Sequence, residues 1–285
     1  MKSLLSLLFA TFLSFFSTNA QELENSLLWK ISGNDLEKPS YLFGTIHITC
    51  DATLNDKVKK ALDETSQVVL EIDMDDPSLQ AKMISGIYMK DEKKIEDLVS
   101  KEDFEAINTL LTKHAGVSLG IVQNMKPFFL TAMLYPKLLD CQMQSFEQEL
   151  IKVAQAQNEE ILGLETIEDQ LQVFDNIPYE DQVADLLRSA KDDLEYDRTT
   201  FATMLELYNT ENITQMEVMM DDDTSKLSDH QDILLVNRNK KWISRISELS
   251  KKQATFYGVG AGHLAGENGV ILLLRKAGYT VTAVK

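Results

Sequence analysis

The sequence predicts an α/β fold: a central mixed sheet formed by strands from both ends of the chain, with a large helical insertion or cap. Three observations point there. Apolar runs of strand length crowd the two ends, apolar residues in the middle recur at helical spacing, and no Gly-, Ser- or Pro-rich linker divides the chain. Elements distant in sequence must therefore meet in a shared core.

The early strands are read at Leu27–Ser32, Tyr41–Ile48 and Val68–Ile72, where β-branched and aromatic residues alternate or run together. Helical faces follow. Ile95, Leu98 and Val99 form one, Phe104, Ile107, Leu110 and Leu111 the next, then an apolar helix over Phe128–Leu139, then Phe146, Leu150, Val153 and Ala154. These recur at i, i+3 and i+4, the spacing that puts side chains on one helix face. Ile161–Leu164 is a short apolar run, and Thr166 with Asp169 three residues on opens another helix as a variant of the capping box. From Tyr179 to Lys252 strand signals almost vanish, so this region is read as a helical cap. Its acidic runs, Asp192-Asp193 and Asp221-Asp222-Asp223, read as solvated faces or helix ends. The closing strands are Thr255–Val259 and Tyr279–Val284.

The 285 residues carry 28 Lys and Arg against 45 Asp and Glu, a formal charge of −17. Phosphate backbones would repel such a chain, so no nucleic-acid partner is expected. Residues 1–20 read as a secretory signal peptide: a basic start, a Leu- and Phe-rich stretch, and small residues before a cut near Ala20. The alternative is a retained anchor. No later run is apolar for the 18 or so residues a spanning helix needs, so residues 21–285 are expected as one secreted or periplasmic domain without stable membrane insertion. Export would put Cys50 and Cys141 where a disulfide can form, the alternative being two buried thiols.

Two of the four histidines, His47 and His263, have Gly three positions earlier. At the chain's frequency of Gly, that coincidence arises by chance about 1% of the time, so it calls for a physical reason. Both Gly-x-x-His motifs follow an apolar strand, which places each His where a strand yields to a loop, the usual ligand position in open α/β sheets. Glu71 ends one apolar strand with Asp73 on the same face, and Glu165 ends another. A carboxylate buried there needs a cation, a metal or donors. Two histidines with one or two of these acids suit a divalent ion, Mn, Co, Zn or Fe, with an open position for water. Arg238 is a candidate to orient a carboxylate or to stabilise an oxyanion. His-Glu-x-x-His, Cys-x-x-Cys, Gly-x-Ser-x-Gly and Walker motifs are all missing from the sequence, and the Gly258–Gly262 run lies too close to the C-terminus for a dinucleotide fold.

The segments Trp29–Ile31, Ser40–Ile48, Val69–Asp73, Gly163–Gln170, Asn237–Asn239 and Gly260–Val270 together resemble the TraB/GumN family, which includes the Tiki metalloproteases. The resemblance implies a fold of the erythromycin-esterase/ChaN-like kind and a metal-dependent hydrolytic site, most simply a peptidase acting on a peptide or protein. It carries His47, Glu71, Glu165, Arg238 and His263 onto the motif positions. His47, His263, Glu71 and Glu165 become the ligand candidates, and Glu71, Glu165 and Arg238 the candidates for chemistry. Ser145–Glu149 stands where many members have Gly-Val-Asp, which leaves Glu147 as a lesser candidate. The alternative function is an extracytoplasmic protein that binds a peptide or small ligand without turnover.

Overall fold

The computed structural model describes residues 23–285, so the expected signal peptide lies outside the described residues. The sheet strands are β1 (Leu28–Ser32), β2 (Ser40–Thr45), β3 (Gln67–Ile72), β4 (Glu160–Glu165), β5 (Phe256–Gly260) and β6 (Thr280–Ala283). Their spatial order is β4-β3-β5-β2-β1-β6. β2, β5, β3 and β4 run parallel, whereas β1 is antiparallel to both β2 and β6. The sheet is mixed, and strands from both ends of the chain interleave in it.

The helices are α1 (Asp56–Asp63), α2 (Leu79–Gly86), α3 (Lys101–Ala115), α4 (Leu119–Val122), α5 (Pro127–Ala132), α6 (Phe146–Gln157), α7 (Ile167–Asn176), α8 (Tyr179–Asp192), α9 (Glu195–Asn209), α10 (Ile213–Asp221), α11 (Asn237–Lys252) and α12 (Val270–Lys276). Successive strand residues face opposite sides of a sheet, and β5 uses both. Tyr257 sends its hydroxyl to the Ile246 carbonyl of α11, while Gly258 lies against Leu150 of α6. The sheet is thus sandwiched by helices, as parallel strands buried on both faces require.

Two apolar cores result. The larger surrounds the sheet. The smaller lies among α3, α4, α5 and α8, with Ile107, Leu111, Leu130 and Leu186 at its centre. The helical insertion therefore has an interior of its own. It is tied to α7 by Lys126, a buried ammonium paired with Asp175 at 2.8 Å and donating to the Leu171 carbonyl. Removing one member of such a pair would leave the other charge stranded in the interior.

The structure differs from the sequence reading in two places. β2 stops at Thr45 rather than Ile48, which frees Ile46 and His47 from the ladder. The apolar stretch Phe128–Leu139 is broken into α5 and a short 3-10 turn, Tyr135–Lys137. Pro136 explains the break: it has no N–H to give and disfavours α geometry in the residue before it. The capping box holds as read, Thr166 accepting from the Asp169 N–H and Asp169 from the Thr166 N–H.

Cys50 and Cys141 form a disulfide. Beside it Thr49 and Gln144 pair as a β-bridge, and Gln144 donates to the Cys50 carbonyl. Two chain segments are clamped together just beyond His47 and just before Glu147.

Candidate functional site

The four parallel strands end along one rim of the sheet, with Thr45 beside Gly260 and Ile72 beside Glu165 in register. His47 lies two residues past β2, Glu71 is the penultimate residue of β3, Glu165 the last of β4, and His263 closes the 3-10 turn Ala261–His263 after β5. Arg238 reaches the rim from the first turn of α11, which continues directly from a π-helical segment, Asp232–Val236. Such segments reset side-chain direction and are frequent at functional sites.

Glycine has a steric role in both motifs. A β-carbon on Gly44 would stand 2.6 Å from Leu264 Cδ1 and 3.2 Å from Ala261, so the first motif can pack on the second only without a side chain. A β-carbon on Gly260 would stand 3.2 Å from Glu71 Oε1, 3.7 Å from His263 Cδ2 and 3.9 Å from His47 Nε2. Both histidines and Glu71 therefore border one small space in front of Gly260.

Each group there is held from behind. His47 Nδ1 bonds Glu147 Oε1 at 2.8 Å, and Glu147 also accepts from the hydroxyls of Thr45 and Ser145. His263 Nδ1 lies 2.5 Å from Asn239 Oδ1. The Asn239 amide nitrogen donates to the Asn268 carbonyl, which turns its oxygen to the ring, so His263 carries its proton on Nδ1 and presents a bare Nε2. Glu71 Oε1 accepts from the Gly260 N–H at 2.8 Å, and Oε2 from Arg238 Nη2 at 2.5 Å and Gln170 Nε2 at 3.0 Å. Arg238 bridges to Glu165 through Nη2 at 2.6 Å and Nε at 2.9 Å, Trp242 Nε1 donates to Glu165, and the guanidinium also lies over the Trp242 ring.

The electrostatics follow from this packing. Burial pushes the Glu71 pKa up, but the neighbouring His263, Arg238 and His47 charges carry it down to about 2. Burial also lowers His263 to about 3, so near pH 7 that ring is neutral and the cations beside Glu71 are Arg238 and His47. The hydrogen bond to Glu147 raises His47 to about 9. Its side chain is 69% exposed, against 5% for His263, so solvent screens the His47 pair and the site opens on that side.

The donor set fits a divalent ion in its chemistry. Imidazoles anchored through Nδ1 with Nε2 free, and a carboxylate beside them, are a usual arrangement around metals. Two features depart from a finished site. Arg238 Nη1 lies 3.2 Å from His263 Nε2 and covers its lone pair, and among the described residues no group of three or more His, Cys, Asp or Glu stands in ligating geometry. Loading would require Arg238 to turn aside.

Of the residues singled out in the sequence, His47, Glu71, Arg238 and His263 come together. Glu165 is bonded to Arg238 and Trp242 and, among the described residues, makes no hydrogen bond or ion pair with either histidine. Glu147 is more central than its sequence reading suggested. Gln170, Asn239 and Trp242 were not read as site residues, although Trp242 stands one helical turn after Arg238 and so had to share its face. The remaining histidines lie in the helical region, His114 paired with Asp193 and His230 with Asp181.

The TraB/PrgY/gumN family profile matches residues 27–283. Metalloprotease TIKI2 of Danio rerio is 24% identical over 90% of this chain and 60% of its own length. Metalloprotease TIKI1 is 21% identical in Danio rerio, covering 90% of this chain and 63% of the relative. In Homo sapiens it is 22% identical, covering 90% and 61%. The chain thus spans about three-fifths of the length of these relatives. No solved structure matches it.

Proposed function

Because the chain belongs to the TraB/PrgY/gumN family, we propose that it is an exported, metal-dependent hydrolase of peptide bonds. The observation that carries this reading is the convergence of His47, His263 and Glu71 around Gly260, with Arg238 against them. The names of its relatives support protease chemistry, and the disulfide is consistent with an oxidising compartment.

His47 and His263, through Nε2, would hold the ion, with Glu71 Oε1 facing the same space. A divalent ion there would supply Lewis acidity and a water of lowered pKa. Glu71 would accept a proton from the attacking water. In the resting arrangement the His263, Arg238 and His47 charges hold its pKa down. By donating to the carbonyl oxygen of a bound peptide, Arg238 would stabilise the charge developing there. Glu165 and Trp242 keep the guanidinium at the rim throughout. Glu147 and Asn239 hold the two rings in the orientation that presents Nε2.

The test is incubation with a diverse peptide library and Mn²⁺, Co²⁺ or Zn²⁺, read by mass spectrometry. Cleavage that disappears in Glu71→Gln supports the hydrolase. Retention of peptides without cleavage under every metal would make the protein a binding module.

A further inference from the structure

β4 is an edge strand, paired with β3 on one side, and among the described residues no strand covers its other side. Its six residues, Glu-Ile-Leu-Gly-Leu-Glu, include neither proline nor lysine, the residues that commonly blunt such an edge. A cavity of about 410 Å³ opens at this strand, lined by Leu162, Gly163, Leu164 and Glu165 in unbroken succession. Thr166, Ile167 and Glu168 continue the lining, so the cavity runs along the second half of β4 and the start of α7. Its other walls come from Asp73 and Asp76 between β3 and α2, Leu79 and Lys82 of α2, and Arg245 of α11.

The cavity borders the site at Glu165, which lines it and is bonded to Arg238. Most of its charges are matched. Lys82 pairs with Asp76 and Glu168, Arg245 with Glu248, and Glu165 with Arg238. Asp73 is different: it accepts the Asp75 N–H at 3.3 Å and, among the described residues, has no ion-pair partner.

We propose that the open edge of β4 docks an extended peptide, which adds a strand to the sheet, turns a basic side chain to Asp73, and runs past Glu165 to the rim. This deepens the peptidase reading and rests on it for the identity of the ligand. Main-chain hydrogen bonds to a sheet edge give affinity that tolerates many sequences, and pockets for alternate side chains give the selectivity. Asp73, the first residue beyond β3, is then a specificity-determining residue.

The test uses the metal-stripped chain, so that binding is read without turnover. The probe is a fluorescein-labelled nonapeptide alternating Val and Thr around a central Lys, followed by fluorescence anisotropy and by hydrogen exchange of the protein amides. Expected are saturable binding and slowed exchange at residues 160–165. N-methylation of one alternate set of peptide nitrogens should weaken binding about tenfold and of the other set hardly at all, because only one set faces β4. Replacing the central Lys by Glu should weaken binding by about tenfold, and Asp73→Asn should reduce that preference to about twofold or less. Absence of protection at 160–165, equal sensitivity to both methylated sets, or a charge preference that survives Asp73→Asn would overturn the proposal. Protection of β4 that grows with protein concentration without peptide would assign the edge to a second copy, and would overturn it too. Docking without cleavage by the metal-loaded protein would leave this proposal standing and remove the peptidase reading. Cleavage without protection of β4 would do the reverse.

Discussion

His47 and Glu147 stand 100 positions apart in the chain and are joined by one hydrogen bond, Nδ1 to Oε1 at 2.8 Å. The bond fixes the orientation of an otherwise exposed ring, and it links the first Gly-x-x-His motif to the start of α6. Glu147→Gln should therefore lower metal affinity or activity by about 10- to 100-fold, the usual effect of losing a partner behind a metal-bound histidine. Titration calorimetry with Zn²⁺ or Mn²⁺ on variant and parent measures it. Unchanged affinity would relegate Glu147 to the interior of the fold.

The same pair sets a pH dependence in metal-stripped protein. Burial raises the Glu147 pKa, but the His47, Ser145 and Thr45 bonds bring it from 4.5 to about 2, so its contribution is present above about 4.5 and is lost as pH falls toward 2. His47 is raised from 6.5 to about 9, so its contribution is complete below 6.5 and fades as pH rises through 9. Thermal midpoints should be highest between roughly pH 5 and 6.5, with a shallow alkaline limb because the ring is solvent-screened. Glu147→Gln should flatten both limbs; identical profiles in parent and variant would contradict the pairing.

Much of this arrangement was legible in the sequence, for physical reasons that differ by residue. Buried parallel strands are apolar on both faces, so β2, β3 and β5 could be read as runs, and the glycines marked where two chains approach. Glu165 was legible as the end of a strand, yet its side-chain partner was not, because Arg238 arrives from 73 positions away through a π-helical turn. Asn239 and Gln170 were hidden for a related reason: an amide that orients a ring or a carboxylate leaves no periodic signal. The core of the insertion escaped notice because helical spacing shows which face is apolar but not which helix covers it.

Cys50→Ser should destabilise the protein substantially. The bond closes a separation of 91 positions, for which the chain-entropy model gives about 4 to 5 kcal/mol as an upper figure. The Thr49–Gln144 bridge should also fray, and metal affinity should fall with it. Thermal unfolding with and without reductant checks this; parent and variant melting together under oxidising conditions would mean that the bond contributes little.

Arg238 holds two carboxylates at once, so Arg238→Ala leaves both buried without their cation. A loss of about 3 to 5 kcal/mol is expected from such a stranded pair. Arg238→Lys should recover part of the stability but little activity, since an ammonium cannot reproduce the forked contacts to Glu71 and Glu165. Denaturant unfolding and peptidase assays on the two variants separate these effects. Full activity in Arg238→Lys would remove the guanidinium from the chemistry.

The most direct test of the central claim is metal content after purification and Zn²⁺ loading, measured by plasma mass spectrometry on the parent and on the His47→Ala/His263→Ala double variant. The parent should retain about one ion per chain and the double variant close to none, with the fold of both verified by circular dichroism. Stoichiometric metal in the double variant would contradict a site built from the two Gly-x-x-His motifs.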